Sequence, residues 1–461
     1  MCLDAVLSRF IQQSPVTVMA HAIFDRVLEP GWLDQLFETY RQRQYKRELL
    51  FSTAVEYMSV VALGLQRSLH AAVQASKDLP VSLAALYDKI NRTEPGLARA
   101  LVVGSAERLA PILKEVGRSE SPLCPGYRVL VLDGSHLPSS QKRLAPLRSL
   151  LSGPLPGQSL VVYDPDAGIV IDIVPCEDGY SQERALMQSV LDKALPGELW
   201  IADRNFSTTA ILSGWDGKGA AFAVREHSNS PNPMELDERR EVGRIETGVV
   251  YEQAVQLKLG DGGTMPLRRI ELHLDHPTED GDTVVRILSN LPSAVNAKQI
   301  AVMYRRRWSI ERMFQWLESV LQSEIRSLGY PRAALFAFSV AVLAFNVLST
   351  IRSAIESQHA VDQKDEKGRL SFYYVACEIR ASYTGMMIAV PSEAWRRYQD
   401  LSPKTFSAAL LRIAAHVDIS RMRVHPRGPK KPVQKSGPSG KARPHVSTAR
   451  ILAKRKTLPR P

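Results

Sequence analysis

The feature that most constrains the fold is a long apolar run in the C-terminal half of the chain. Residues 333–351 (AALFAFSVAVLAFNVLSTI) place apolar side chains on every face of a helix. Such a helix has to be surrounded by protein or by lipid. The run approaches membrane length, but it contains Ser339, Asn346 and Ser349 and follows a helix with a polar stripe. We therefore predict a buried core helix, with a transmembrane span as the alternative.

The preceding stretch, residues 304–322 (YRRRWSIERMFQWLESVLQ), predicts one long amphipathic helix. In a helix, Tyr304, Arg307, Glu311 and Glu318 fall within about 60° of one another. Beside this polar stripe lies an apolar one, made of Ile310, Met313, Phe314, Leu317, Val320 and Leu321. A phenol, a guanidinium and carboxylates along one edge suit a site that holds a phosphate and a metal. The alternative is a solvated helix, in which the Arg307–Glu311 pair contributes about 0.3 kcal/mol.

The excess of basic residues is concentrated at the C-terminus. The 461 residues carry a net charge of +11, with 59 Lys and Arg against 48 Asp and Glu. Residues 420–461 hold 13 of the basic residues and no acidic ones, which leaves residues 1–419 with 46 against 48, a net charge of −2. We expect a basic, disordered tail that binds a polyanion, with nucleic acid favoured over a membrane surface. A solubilising tail without a partner is the alternative.

The four cysteines, Cys2, Cys124, Cys176 and Cys377, are far apart and form no CxxC pair. This spacing argues against a zinc site and a disulfide framework, and it suits a reducing cytoplasm. The first residues lack a basic segment followed by a long apolar run, so we predict no signal peptide. With 44% apolar residues, a chain of this length has room for several domains with sizeable cores.

Residues 1–120 predict a helical N-terminal domain. Apolar residues recur at spacings of three and four in 32–43, 49–68 and 83–91. Residues 81–102 (VSLAALYDKINRTEPGLARALV) resemble a helix-turn-helix, although any helical hairpin has a similar pattern. We expect this domain to contact DNA, without sequence-specific readout by this element.

Residues 121–215 change to a strand-rich pattern, in the order strand, strand, strand, helix, strand, helix. The first strand, YRVLVLD, ends at Asp133, and the fourth, ELWIAD, ends at Asp203. Between them a turn joins SLVVYDP and GIVIDIVP into a hairpin, and a helix covers 182–194. A helix at 207–213 follows the fourth strand.

Residues 216–292 predict a β-strand-rich insertion before the polar-striped helix. Four segments have strand patterns and none has the length of a helix (AAFAV, QAVQLKL, LRRIELHL and TVVRILSNL). Residues 293–356 then hold the polar-striped helix and the core helix. Residues 357–419 predict a helical C-terminal region that opens with an exposed polar loop at 357–371.

Three carboxylates stand out: Asp133 and Asp203 at strand ends, and Glu311 on the polar-striped helix. Strand ends bring both aspartates to one rim of a sheet, and a helix packed across the sheet can deliver the third carboxylate. Carboxylates without His or Cys favour Mg²⁺ or Mn²⁺, and two such ions about 4 Å apart catalyse phosphoryl transfer. An aspartate that closes a strand is often only a turn or cap residue. Other acidic residues of this region are not interpreted as ligands: Asp164, Asp172, Asp178 and Glu183.

Three sequence blocks resemble a known family. VLDGS around Asp133, IADRNF around Asp203 and YRRRWSIERMF around Glu311 are similar to the insertion-sequence-four family of DDE transposases. The catalytic helix of that family carries Tyr, two residues, Arg, three residues, Glu, six residues and Lys. The first three fall on Tyr304, Arg307 and Glu311. The resemblance implies an α/β fold, with a ribonuclease-H-like catalytic core interrupted by the β-rich insertion and flanked by the helical N-terminal domain and C-terminal region.

The resemblance also implies a mechanism. Asp133, Asp203 and Glu311 would hold two Mg²⁺ or Mn²⁺ ions, while Tyr304 and Arg307 would hold phosphates of a DNA end. Hydrolysis at the ends of the element would precede attack of the freed 3′-OH on target DNA. The expected partners are double-stranded DNA and a second copy of the chain, forming a homodimer on DNA in the bacterial cytoplasm, with no membrane.

Glu318 and Tyr251 are two further positions that bear on DNA contact. Glu318 stands where the family has a lysine that is expected to touch DNA phosphate, so this contact is lost or supplied by another residue, such as a neighbouring arginine. Some members stack a flipped base on an aromatic side chain of the β insertion. Tyr251 is the one Tyr or Trp well inside residues 216–292, so this step stays open.

Two other functions stay open as well. One is a ribonuclease-H-like nuclease that cuts DNA without strand transfer, although the basic tail and the β insertion favour a transposase. The other is a DNA-binding protein without catalysis, in which Asp133→Ala would leave every DNA-linked activity unchanged.

Overall fold

The computed structural model describes residues 2–44, 48–76, 78–117, 122–137, 157–179, 181–278, 281–325, 327–361 and 369–425. The tail beyond residue 425 and residues 362–368 of the predicted polar loop lie outside the described residues. The α-helices are α1 Cys2–Gln13, α2 Pro15–Val27, α3 Pro30–Tyr40, α4 Phe51–Ala62, α5 Leu69–Ser76, α6 Leu83–Arg92, α7 Pro95–Val116, α8 Gln188–Leu191, α9 Thr209–Gly217, α10 Ala297–Arg305, α11 Trp308–Ser319, α12 Pro331–Gln358, α13 Phe372–Ala389, α14 Arg396–Gln399, α15 Pro403–Ala414 and α16 Ile419–Met422. Short 3₁₀ helices span Glu183–Leu186, Arg204–Phe206 and Ser392–Trp395.

A ten-stranded sheet forms the centre of a mixed α/β fold. The strands are β1 Arg128–His136, β2 Gln158–Asp164, β3 Ile169–Cys176, β4 Glu198–Ala202, β5 Ala221–Arg225, β6 Met234–Glu235, β7 Arg240–Ile245, β8 Gly248–Lys258, β9 Thr264–Leu274 and β10 Val284–Ser289. Their order is β3-β2-β1-β4-β5-β10-β9-β8-β6, and β7 also pairs with β8. β1, β4 and β5 are parallel, and their outer neighbours β2 and β10 run antiparallel to them.

The strand-rich segment at 216–292 continues this sheet. Its first strand, β5, pairs in parallel with β4, and β10 pairs antiparallel with β5. β6 to β9 then extend the sheet outward through β9, which pairs with β10. The segment therefore begins with a strand of the central parallel group, and only the strands after β5 form the extension.

The two faces of the sheet have separate cores. Along β1, Val129 and Val131 face the core that contains α11 and α12, whereas Leu130 and Leu132 face the core that contains α9. This alternation follows from the two-residue period of a strand. Asp133 continues the series of Val129 and Val131, so its side chain belongs to the face covered by α11 and α12.

The predicted core helix is confirmed as α12. Of the described helices, α12 alone is long and apolar enough to cross a membrane, and its apolar window is fully buried inside the protein. Its polar residue Asn346 accepts a hydrogen bond from the amide of Val170 at 2.8 Å and donates to the carbonyl of Val170 at 2.7 Å. A buried amide with both groups bonded costs little, so a polar residue inside an apolar helix is explained by its docking to β3.

The predicted helix-turn-helix consists of α6 and α7. α7 packs against α12 and β3 and buries one side along most of its length. Glu94, just before α7, is buried, and its carboxylate accepts hydrogen bonds from the amides of Gln42 and Arg43 at 2.6 and 2.7 Å. α7 is therefore a core helix and is not placed as a recognition helix.

The single helix predicted over 304–322 is wrong, because the chain forms α10 and α11 with a break between them. The amides of Arg306 and Arg307 bond three residues back, to the carbonyls of Met303 and Tyr304 at 2.8 and 3.0 Å. This 3₁₀ spacing tightens the turn and redirects the axis. The helix predicted over 182–194 is likewise shorter, a 3₁₀ helix followed by α8.

Candidate active site

Asp133 and Asp203 lie side by side where the parallel pairing of β1 and β4 ends. The last pair of that ladder is Leu132 with Ala202, and each aspartate is the next residue in its chain. Neighbouring strands lie about 4.8 Å apart, so the two carboxylates start from adjacent backbone positions. β1 was predicted to end at Asp133 but continues to His136, because β2 remains paired with it.

Each aspartate has one carboxylate oxygen bonded to the following backbone amide. Asp133 Oδ1 accepts from Gly134 at 2.9 Å, and Asp203 Oδ1 accepts from Arg204 at 2.5 Å. Asp203 thereby caps the 3₁₀ helix that follows it. Capping accounts for the type of residue at this position, but it does not account for a second carboxylate on the neighbouring strand.

The guanidinium of Arg307 joins the helix to the sheet. Its Nη1 donates to Asp133 Oδ2 at 3.2 Å, and its Nη2 donates to Glu311 Oε1 at 2.7 Å. The charge of Asp203 also acts on this guanidinium. Because Arg307 is the last residue before α11 and Glu311 lies one turn into that helix, the break between α10 and α11 sets where the guanidinium points. The structure thus brings Asp133 and Glu311 into contact with one cation, and Asp203 acts on that cation through its charge without a hydrogen bond or ion pair to it in the described residues.

At the edge formed by the ends of β1 and β4, the positive charge around Asp133 is too small to offset the effect of burial on its pKa. Burial raises the pKa of Asp133 to about 7; Arg307 and the Gly134 amide lower this pKa, and Asp203 and Glu183 raise it. The side chain of Asp133 is 20% exposed. A carboxyl whose pKa stays high despite an arginine partner marks a place that favours a further cation or a proton.

Tyr304 and Arg307 each carry a buried polar atom without a well-formed hydrogen bond to another described residue. Burial disfavours the charge of Arg307, yet Tyr304 and the nearby carboxylates raise the pKa of Arg307. Burial also raises the pKa of the Tyr304 phenol above its usual range. In the described part of the chain, Tyr304 Oη and Arg307 Nε form no well-formed hydrogen bond, although the Arg307 guanidinium lies near enough to the Tyr304 phenol to lower the pKa of that phenol. An unsatisfied buried polar atom costs about 1–3 kcal/mol, so a ligand with acceptor oxygens would be stabilised here.

The donor set suits a hard divalent cation in its chemistry. The oxygens of Asp133, Asp203 and Glu311 are the ligand type that Mg²⁺ and Mn²⁺ prefer. Among the described residues, however, no three His, Cys, Asp or Glu side chains stand in the geometry of a metal site. Arg307 lies between two of the carboxylates instead. Metal binding would therefore require the Arg307 guanidinium to exchange partners.

Of the acidic residues set aside from the sequence, one lies at the site. The charge of Glu183 acts on Asp133. Asp172, by contrast, accepts two hydrogen bonds from Arg99 at 2.8 and 2.6 Å, which explains its position inside a strand. Sequence patterns gave no sign of Glu183, because it begins a four-residue 3₁₀ helix that is too short to show a periodicity.

Glu318 and Tyr251 have different surroundings in the structure. Glu318 is exposed near the end of α11 and has no hydrogen bond or ion pair within the described ranges. The ring of Tyr251 in β8 contacts His273 at 4.6 Å between ring centroids, and the guanidinium of Arg239 lies 4.8 Å from its centroid. Tyr251 is therefore already engaged by neighbours in the sheet.

Part of the chain is similar to a known family. Residues 125–347 match the family described as Transposase DDE domain. The matched residues include β1, β4 and α11, and so they include Asp133, Asp203 and Glu311. No curated protein matches the chain. The family match supports a DDE transposase, an enzyme of the nuclease and transposase class whose domains normally use divalent metal ions.

Proposed function

We propose that the chain is the DNA transposase of an insertion sequence. It cuts the ends of the element and joins the freed 3′-OH to target DNA by two-metal phosphoryl transfer. The observation that carries the proposal is the arrangement of Asp133 and Asp203 on adjacent strand ends, with Glu311 tied to Asp133 through Arg307. The match of residues 125–347 to the transposase DDE domain supports the same activity.

Asp133, Asp203 and Glu311 are the residues that would hold two Mg²⁺ or Mn²⁺ ions. Ions held there supply an activated water or hydroxyl and stabilise the leaving oxygen of an in-line displacement. The protein contributes three oxygen donors on a strand, a strand end and a helix, so their backbones are fixed by the fold. It also buries Asp133 with too little positive charge nearby to offset the rise in its pKa, which favours a cation at the ends of β1 and β4.

Tyr304 and Arg307 bind the phosphates of the DNA end. In the described residues, one buried polar atom of each side chain forms no well-formed hydrogen bond, although the Arg307 guanidinium interacts with the Tyr304 phenol. Phosphate oxygens accept hydrogen bonds, and Arg is suited to hold them with two donors at once. DNA binding thus satisfies the orphaned donors and draws Arg307 away from the carboxylates, which leaves these free to hold metal.

A basic surface beside the site supports contact with the DNA backbone. Arg312 lies on α11 next to Glu311, and partial burial and repulsion by Arg369, Arg306 and Arg352 lower its pKa. Arg312 forms no ion pair with a described carboxylate. Cations that crowd one another in this way favour a polyanion. Arg312 is therefore our candidate for the phosphate contact that an acidic side chain at position 318 cannot make.

The proposal also includes the fold of the catalytic core, the transposase family and the partners. We assign β1 to β5 to a ribonuclease-H-like core. This is supported by the antiparallel pairing of β1 with β2 and of β2 with β3, by the parallel pairing of β1, β4 and β5, and by helices on both faces. The strands after β5 are the insertion, and the spacing of Tyr304, Arg307 and Glu311 supports the insertion-sequence-four family. The partners are double-stranded DNA and a second copy of the chain, in the cytoplasm; the full burial of α12 supports a protein without a membrane span.

The test is a cleavage and strand-transfer assay with the purified full chain. The DNA is a plasmid that carries the genomic sequences flanking the coding region on both sides, incubated with Mn²⁺ or Mg²⁺ and a target plasmid. We expect cleavage at inverted repeats and covalently joined products. Cleavage without joined product would support the nuclease instead. An Asp133→Asn variant that retains every DNA-linked activity would support a protein without catalysis.

A further inference from the structure

We propose that Glu183 is a positioning residue that sets the separation of Asp133 and Asp203, by linking the C-terminal end of β1 to the chain after β4. The inference rests on the proposed function, because the two aspartates matter through the metal they would hold. It concerns contacts that Glu183 makes with the backbone and side chains next to both aspartates.

The first contact is with the chain after β4. Asn205 lies two residues after Asp203, and its side-chain amide donates to Glu183 Oε2 at 2.5 Å. The 3₁₀ helix that begins with Glu183 packs against the 3₁₀ helix that follows Asp203. The Glu183 side chain is 18% exposed, so this hydrogen bond to a charged acceptor is largely shielded from water and is stronger than one at the surface.

The second contact is with the chain after Asp133. A Cβ atom on Gly134 would lie 1.8 Å from Glu183 Oε1 and 2.3 Å from its carboxyl carbon. The carboxyl group therefore rests directly on the Cα of Gly134, and a glycine is needed there for close approach. His136 Nδ1 lies 4.0 Å from the same oxygen. Glu183 thus touches β1 on one side and the turn after β4 on the other.

The link is needed because the sheet does not supply it. The parallel ladder between β1 and β4 ends at Leu132 and Ala202, one residue before both aspartates. Asp203 already belongs to the turn that leads into a 3₁₀ helix. Two carboxylates at adjacent positions repel each other, so a tie beyond the ladder holds their separation. A misplacement of about 1 Å at a reacting centre costs roughly a hundredfold in rate.

The experiment first measures Mn²⁺ binding to the full chain by isothermal titration calorimetry in the presence of saturating double-stranded DNA, so that phosphate can engage Arg307, and the heat of Mn²⁺ binding to the DNA alone is subtracted. We expect Glu183→Ala to weaken Mn²⁺ binding by about 10- to 100-fold, the usual effect of losing a residue that orients a ligand. Glu183→Gln keeps an acceptor oxygen for Asn205 and stays within about fivefold of the wild type. Glu393→Ala, which removes an exposed carboxylate of the C-terminal region, leaves binding unchanged. Thermal melting of each variant establishes that it is folded.

A double-mutant cycle tests the contact itself. Gly134→Ala adds a methyl group that displaces the Glu183 carboxyl, so it should weaken Mn²⁺ binding about as much as Glu183→Ala. The double variant should lose little more than either single one, because the clash disappears with the side chain. Independent, additive losses would overturn the proposal, and so would a Glu183→Gln variant as weak as Glu183→Ala.

The cleavage assay separates this inference from the proposed function. Under both, Asp133→Asn abolishes cleavage and Glu183→Ala raises the Mn²⁺ concentration that gives half-maximal cleavage. If Asp133→Asn cleaves as fast as the wild type, the proposed function fails. If Asp133→Asn is inactive while Glu183→Ala binds Mn²⁺ and cleaves like the wild type, the positioning role of Glu183 alone is overturned.

Discussion

The extension of the sheet and the edge of β1 and β4 both bring arginines and carboxylates together, but in opposite proportions. In the extension, Glu271 accepts hydrogen bonds from Arg239 at 2.9 Å, Arg286 at 3.0 Å and His273 at 3.0 Å. Burial alone would raise the pKa of Glu271, but these donors lower it to about 2. This single carboxylate has two guanidinium partners and an imidazole partner.

At the edge of β1 and β4, one arginine contacts more than one carboxylate. Arg307 donates to both Asp133 and Glu311, and Asp203 lies within reach of its charge. Burial raises the pKa of Asp133 to about 7 in spite of this arginine. Several carboxylates share one guanidinium here, whereas one carboxylate has several donors in the extension.

The difference teaches how to tell a structural ion network from a functional one. A network that stabilises the fold satisfies its charges internally. A site that takes up a charged ligand keeps charges unsatisfied in the free protein, at a cost in stability. The contrast between Glu271 and Asp133 is therefore measurable in catalysis and in stability.

The largest expected difference is in catalysis. Asp133→Asn, Asp203→Asn and Glu311→Gln should each slow DNA cleavage by about a thousandfold or more, because metal ions supply several kcal/mol of transition-state stabilisation. DNA binding in a gel-shift assay should be largely intact. The matched control is Glu271→Gln, which should cleave at the wild-type rate per folded molecule. A variant of the first group that still cleaves normally does not belong to the metal site.

The second prediction concerns the stability of the extension. Glu271→Gln should lower the free energy of unfolding by about 2 kcal/mol at pH 7, because hydrogen bonds to a charged acceptor are lost. The folded-state pKa of about 2 lies below the ordinary 4.5. The contribution of Glu271 is therefore complete above pH 4.5 and is lost as the pH falls toward 2. Urea denaturation at several pH values measures the difference, with exposed Glu241→Gln as the control.

The third prediction has the opposite sign. In metal-free protein, Asp133→Asn should raise the free energy of unfolding by about 1 kcal/mol at pH 8. The folded-state pKa of about 7 lies above the ordinary 3.8, so ionisation of Asp133 costs stability as the pH rises through this interval. The gain should be largest above pH 7 and vanish below pH 3.8. A loss of stability at pH 8, measured by urea denaturation with a chelator present, would contradict the charge deficit.

Parts of the fold and site follow from the sequence because they depend on local patterns. The apolar run at 333–351 has no polar face, so α12 had to be buried. The strand that ends before Asp203 and the hairpin of β2 and β3 follow from alternation and turn residues. The spacing of Arg307 and Glu311 predicts their contact, because it is one helical turn.

Other features depend on contacts between distant segments, and sequence periodicity does not report them. No proline or glycine lies at the break between α10 and α11, so the sequence does not predict it. The break is seen only in the hydrogen bonds of Arg306 and Arg307. The parallel pairing of β5 with β4 is a matter of strand order. Glu183 contacts Gly134 and Asn205, which lie 49 and 22 residues away from it in the sequence. No local sequence pattern therefore predicts that Glu183 lies at the site.

The fourth prediction compares arginines that have a carboxylate partner with one that has none among the described residues. Arg312→Ala should weaken DNA binding about three- to tenfold at low salt and reduce the slope of log affinity against log salt by about 0.9, the effect of one phosphate contact. Arg240→Ala is the control, because Arg240 is exposed but paired with Glu252 at 3.0 Å. Equal effects of the two substitutions would show that the basic surface at α11 is not a specific DNA contact.

The smallest effect is expected at Glu318, which is exposed on α11. Glu318→Lys places a cation on the same face of α11 as Glu311, about two turns further along the helix, so it should preserve the affinity for the DNA end or raise it about two- to fivefold at low salt. Glu393→Lys, on an exposed turn of the C-terminal region, separates this local effect from the change in net charge. A marked loss of binding with Glu318→Lys alone would show that the carboxylate has a role of its own. In that case an acidic side chain near the end of α11 would belong to the functional site together with Asp133 and Glu311.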